Sequence, residues 1–171
     1  MSTRSLFCLE TSLEAGEWGD TETLESLADT ALRAAAVDLS VNEAQPFPDE
    51  PPEVSLVLAD DATMTGINAQ WRQQAKPTNV LSFPAFPLSP GGMPGPMLGD
   101  IILARETIER EARELGKPVD EHLTHLIVHG FLHLFGYDHI QAEDAEKMEA
   151  METRILASLN LSDPYGDTEP V

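Results

Sequence analysis

The sequence predicts an α/β (α+β) single domain, a mixed sheet of about four strands packed with about five helices. Two observations set this class. Short apolar runs alternate with runs whose apolar residues recur every three or four positions, the signatures of strands and amphipathic helices. The length of 171 residues and the hydrophobic content of 42% suit one domain that buries its own core. No internal repeat breaks the pattern.

Leu6 to Leu9 is a short strand candidate. Thr21 or Thr23 opens a helix with Leu24, Leu27, Ala28, Ala31 and Leu32 on one stripe, reaching about Val37. A Pro- and acid-rich loop, Asn42 to Pro52, leads to a buried strand, Val54 to Ala59. Asp60 or Asp61 caps a helix from Met64 to Arg72, and Pro77 marks the break after it. Val80 to Phe83 and Leu98 to Leu103 are two further strands, joined by a Pro-, Gly- and Met-rich stretch, Pro84 to Pro96, expected to be mobile. Glu106 to Leu115 is a charged helix stopped by Gly116. Asp120 is expected to cap the next helix, which runs to Phe135, and a last helix spans about Ala142 to Leu159. The domain is placed at residues 1–161, with 162–171 an acidic tail expected to be disordered.

No apolar run approaches the roughly 20 residues of a membrane helix. Glu10 interrupts the apolar stretch a signal peptide would need. One cysteine, Cys8, gives no internal disulfide, so a cytoplasmic setting is expected.

Chemistry concentrates in the run His129-Gly130-Phe131-Leu132-His133-Leu134-Phe135-Gly136-Tyr137-Asp138-His139, which holds three of the five histidines. A step of four residues returns to the same helix face, so His129 and His133 can aim at one point. Gly136 allows the left-handed turn that brings His139 back. Three neutral imidazoles with a fourth position left to water make a catalytic zinc site, one Zn2+ per chain, whereas a structural zinc usually closes with four protein ligands. The spacing is also that of the metzincin peptidase helix, H-E-x-x-H-x-x-G-x-x-H. It departs at Gly130, where the peptidase carries its glutamate base.

A second cluster, Asn68 to Pro84, reads as a helix end, a turn and a strand, and carries Arg72 and Lys76, two of ten basic residues. An arginine beside a metal suits a phosphodiester, because its planar fork grips two phosphate oxygens. A solvated helix-end arginine is the competing reading. His125 can partner a ligand histidine or simply sit on the helix surface, and His122 shows no functional signal. Asp138 can orient a ligand or cap the turn, and Asp100 can organise the loop near Arg72 or serve a turn. Ser82 and Thr78 are candidate phosphate contacts. The Pro84–Pro96 stretch is either a gating lid or a plain connection.

The histidine run, read as H-G-x-L-H-L-x-G-Y-D-H, stands with Asn68, Arg72, Pro77-Thr78-Asn79-Val80-Leu81-Ser82-Phe83-Pro84 and Leu98-Gly99-Asp100-Ile101. Together they resemble the YbeY family, bacterial single-domain metal-dependent endoribonucleases. The resemblance covers roughly residues 54 to 156. It implies a mostly parallel sheet with an antiparallel edge, and zinc held by His129, His133 and His139. It implies an arginine needed for activity at Arg72, processing of the 16S rRNA 3′ end, and ribosome quality control. The expected partners are the 16S rRNA precursor and the ribosome or small-subunit proteins, with no membrane and no DNA.

The net charge of −20 opposes a polyanionic substrate. The imbalance is uneven. Arg72 to Lys117 holds six Lys or Arg against five Asp or Glu, and the rest holds four bases against twenty-five acids. A basic groove on an acidic body, assisted by a protein partner, reconciles the two. Two alternatives stay open: a zinc peptidase or small-molecule hydrolase, and a non-catalytic ribosome-assembly factor with structural zinc.

Overall fold

The structure is a computed structural model and describes residues 5–72 and 78–165, with only the backbone at 71 and 72. In chain order the elements are β1 (Cys8–Leu13), α1 (Thr21–Asn42), β2 (Glu53–Ala59), α2 (Asp61–Arg72), β3 (Val80–Pro84), β4 (Met97–Ala104), α3 (Arg105–Leu115), α4 (Val119–Leu134) and α5 (Ala142–Ser158). The four strands form one sheet in the order β1-β2-β4-β3. β1, β2 and β4 are parallel and β3 runs antiparallel to β4 at the edge. This is the predicted class, with the strand order supplied by the structure.

Both faces of the central strands are covered. Val54, Leu56 and Leu58 of β2 and Ile101 and Leu103 of β4 join the main core with α1, α4 and α5. The alternate residues, Ala59 of β2 and Ile102 and Ala104 of β4, join a smaller core that contains Met64 of α2. The period-two alternation of a strand makes this division, and burial on both faces explains why these strands read as nearly unbroken apolar runs.

α4 is the helix around which the rest is arranged. It contacts α1, α3, α5, β3 and β4, and past its first two residues it is buried on all but one stripe, where Glu121, His125, His129 and His133 stay half-buried. Ala28, Ala31, Ala35 and Ala36 of α1 are fully or almost fully buried, and such short side chains permit close helix approach. Edge-on aromatic contacts link Phe7 to Phe131 and Phe131 to Phe135, at centroid separations of 6.0 and 5.1 Å.

Several boundaries differ from the sequence expectation for identifiable reasons. β1 starts later and extends to Leu13 because pairing with β2, Cys8 to Glu53 through Leu13 to Leu58, fixes it. α1 is capped by Asp20, whose carboxylate accepts from Glu22 N and Thr23 Oγ1. It continues past Val37 because Asp38 and Leu39 are buried. Asp60 caps α2 through Thr63 N at 2.8 Å. Asp120 does not cap α4. Pro118 occupies that position without a side-chain cap, and Asp120 lies in the first turn with Glu121, where acids suit the helix dipole.

The 84–96 stretch is tethered rather than loose. Gln45, 3% exposed, donates Nε2 to Gly92 O at 2.7 Å and accepts from Gly91 N at 3.2 Å. Leu88 packs on the main core.

α1 and α5 are clamped by charge. The Arg154 guanidinium donates to both carboxylate oxygens of Asp38 at 2.7 Å each, and Asn42 Nδ2 donates to the same carboxylate. Asp38 is 9% exposed and the Arg154 side chain 42%. Arg154→Ala leaves a buried carboxylate short of donors. It should cost about 2–3 kcal/mol, less than the ~3–5 kcal/mol of a fully buried pair, read as a lowered urea midpoint by circular dichroism.

Candidate metal centre

α4 carries His129 and His133 on successive turns. Past its end Gly136 adopts φ +97°, and Gly136 N and Tyr137 N donate to His133 O and Leu132 O, a left-handed helix stop. A Cβ at Gly136 would run into the Leu88 carbonyl oxygen, so both the turn and the docking of the 84–96 stretch require glycine. The chain then returns His139 to the pair, its ring 5.5 Å from that of His129 and 5.2 Å from that of His133.

One nitrogen from each ring lies within 4.8 Å of the others. His129 Nε2 and His133 Nε2 are 3.0 Å apart. Two ligands of a tetrahedral zinc with bonds of ~2.0–2.1 Å stand about 3.3 Å apart, so the donor set fits one such ion. Burial, followed by the charges of His129 and His139, depresses His133 to about 4. It is therefore a neutral imidazole, the form that binds metal.

Behind this face lies a carboxylate without access to water. Glu152 of α5 is 0% exposed. Its Oε2 meets His129 Nδ1 at 2.8 Å and its Oε1 meets His125 Nε2 at 2.6 Å. The Tyr165 hydroxyl donates to the same Oε1 at 2.6 Å. Burial alone would raise the Glu152 carboxyl, but the bonds to His125 and His129 outweigh it and hold it at about 2. An ionised carboxylate on Nδ1 fixes the His129 tautomer and leaves Nε2 for a metal. Burial and the adjoining Glu152 charge push the Tyr165 phenol up, keeping it a donor.

The three histidines open into a cleft of about 810 Å³ that extends along Ser82, Asn79 and Asn68 to Arg110 and Glu111. Ser82 Oγ donates to Gly130 O at 2.9 Å. A Cβ at Gly130 would lie 3.0 Å from Ser82 Oγ and 3.0 Å from Ile101 Cγ2. Position 130 therefore points into the sheet, and α4 packs too closely there for the glutamate of a peptidase helix.

The structure brings some predicted residues together and separates others. Thr78 and Ser82 line the cleft. Asp138 also lines it and accepts from Ile140 N at 3.2 Å, a turn cap. Asp100 is an exposed residue within β4, opposite Phe83. His125 reaches His129 through Glu152. His122 is buried and meets Glu111 Oε1 at 2.9 Å, the same oxygen that accepts from Asn79 Nδ2. Arg72 ends α2, but its side chain and all of Lys76 lie outside the described residues. Sequence reasoning missed Glu152, although the buried stripe Met148, Met151, Glu152, Ile155, Leu156 shows an acid on an apolar face.

Comparisons with known proteins agree on one group. The family model described as endoribonuclease YbeY matches residues 11–160. Relatives named endoribonuclease YbeY include that of Sinorhizobium fredii, 62% identical over 93% of this chain and 92% of its own. Those of Rhizobium meliloti and Agrobacterium fabrum are 60% and 61% identical over 95% of this chain, and 96% and 97% of their own. A solution structure from Thermotoga maritima superposes with a TM-score of 0.54 at 24% identity, covering 95% of this chain and 98% of that one, and shares the fold.

Glu152→Gln should weaken zinc binding roughly 10- to 100-fold, measured by competition with a chromophoric chelator. An unchanged affinity would remove the carboxylate from the site. The metal-free protein should also be acid-sensitive. A histidine depressed from 6.5 to about 4 stabilises the fold fully above its unfolded value and loses that contribution as pH falls from 6.5 towards 4. Urea midpoints of metal-free protein should drop across that window, and less so in His133→Gln.

Proposed function

The chain belongs to the endoribonuclease YbeY family, hydrolases acting on RNA, and from that premise we propose a zinc-dependent endoribonuclease of 16S rRNA 3′-end maturation and ribosome quality control. Zinc is held by His129, His133 and His139, and Arg72 is the catalytic cation. The observation that carries this reading is the convergence of three imidazoles on an open cleft of about 810 Å³. Among the described residues, the one His, Cys, Asp or Glu group able to hold an ion consists of these three. A structural zinc usually has four protein ligands.

When bound, the ion would supply a Lewis acid and a water of lowered pKa. The remaining roles fall to the chain. Glu152 accepts from His129 Nδ1 and so keeps the Nε2 lone pair aimed at the cleft. Ser82 ties β3 to α4, which keeps the cleft wall and the histidines in one rigid unit. Asn68, one helical turn before Arg72, is buried and lines the cleft, which supports Arg72 as the group that neutralises charge on the phosphoryl oxygens. Such a term is worth about 3 kcal/mol or more in a preorganised site.

The substrate is single-stranded RNA of the small-subunit rRNA precursor. The acidic body, at −20 overall, weakens binding to naked RNA, so docking on the ribosome or a small-subunit protein completes recognition in the cytoplasm. The peptidase alternative gains nothing from the packing at Gly130.

Zinc-loaded protein should cut a 16S rRNA 3′-end precursor, and chelation should stop it. Arg72→Ala should keep the metal and lose on the order of 100-fold or more in turnover, whereas His133→Ala should lose both. Equal metal loss in the two variants, or no cutting by folded, zinc-loaded protein with or without ribosomes, would overturn the assignment.

A further inference from the structure

The geometry points to a second phosphate position in the same cleft, with Arg110 of α3 gripping a phosphate of the RNA strand other than the one cleaved. This inference rests on the reading of the cleft as the RNA site. Among the described residues, Arg110 is the one Lys or Arg that lines the cleft with the three histidines. A cleft of about 810 Å³ lies towards the upper end of the ~300–1,000 Å³ of ligand pockets, which leaves space beyond a single scissile phosphate.

Asp61 and Glu111 flank Arg110, but the hydrogen bonds of both carboxylates go elsewhere. Asp61 Oδ1 accepts from Thr107 N at 3.1 Å and from Thr107 Oγ1 at 2.7 Å, capping α3. Asp61 Oδ2 forms a long ion pair with Arg110 Nη1 at 3.8 Å, without a hydrogen bond at that distance. Glu111, the neighbouring cleft residue, turns Oε1 to Asn79 and His122 at 2.9 Å each. Arg110 Nη2 donates to Thr107 Oγ1 at 3.2 Å. The guanidinium is thereby anchored along one edge. Its side chain is 51% exposed and lines the cleft, which leaves a planar fork of the kind that suits phosphate accessible from the cleft.

Arg105, one turn earlier on α3, shows the contrast. Its guanidinium lies over Trp18 at 5.3 Å and pairs with Glu109 at 3.3 Å, so it is spent on the fold. On a chain with ten Lys and Arg against thirty Asp and Glu, a cation kept in the cleft is an electrostatic asset for a polyanion.

The test is binding of a fluorescein-labelled eight-residue oligouridylate to the zinc-loaded protein by anisotropy, across a series of KCl concentrations. Arg110→Gln should weaken binding on the order of tenfold at low salt. It should also reduce the slope of log K against log salt by about 0.7, the loss of one single-strand phosphate contact. Arg110→Lys should recover the slope while losing part of the affinity. A role confined to the α2–α3 junction would instead lower the melting temperature and leave the slope unchanged. An unchanged slope and affinity in folded Arg110→Gln, while wild type still binds and cuts RNA, would overturn this inference alone. Wild type that neither binds nor cuts RNA would overturn the reading of the cleft as well.

Discussion

An ionised carboxylate sits at the centre of this molecule where water does not reach. Glu152 is tolerable there only because three donors converge on it, from His125, His129 and Tyr165. An unpaired charge at that depth would cost several kcal/mol. The dependence is mutual. Without the carboxylate, His129 has no fixed tautomer, and the nitrogen it turns to the cleft is undetermined. α5 would also lose its main polar reason to lie against α4. One buried charge therefore couples the packing of two helices to the chemistry of the exposed face.

The other constraint is proximity. α4 lies so close to β3 and β4 that position 130 has no room for a relaxed Cβ contact, and the turn at Gly136 meets the backbone of Leu88. Close packing is what lets Ser82 reach a helix carbonyl. It also sets the chemical character of the site. A helix pressed onto a sheet crowds any side chain on that face, so the glutamate of a peptidase helix is disfavoured at position 130.

Much of this was legible in the residues. The histidine spacing foretold that the three imidazoles would converge, because helix periodicity and a glycine turn are local rules that tertiary context rarely overrides. The alternation of runs gave the sheet and five helices, since apolar periodicity reports burial directly. Boundaries were less legible where pairing or a distant charge decides them. β1 moved with its β2 register, and α1 lengthened under the Asp38–Arg154 clamp. Least legible were contacts remote in sequence. Gln45 holding Gly91 and Gly92, and Glu152 meeting His129, depend on topology that a linear pattern does not contain. Glu152 did leave one trace, an acid in the stripe of α5 that otherwise faces the core.

Tyr165 changes where the working unit ends. The family model's match ends at residue 160, yet the phenol five residues later supplies one of the donors to Glu152 Oε1. A chain trimmed at residue 160 would keep every histidine and every strand, and would still leave that buried oxygen with a donor fewer.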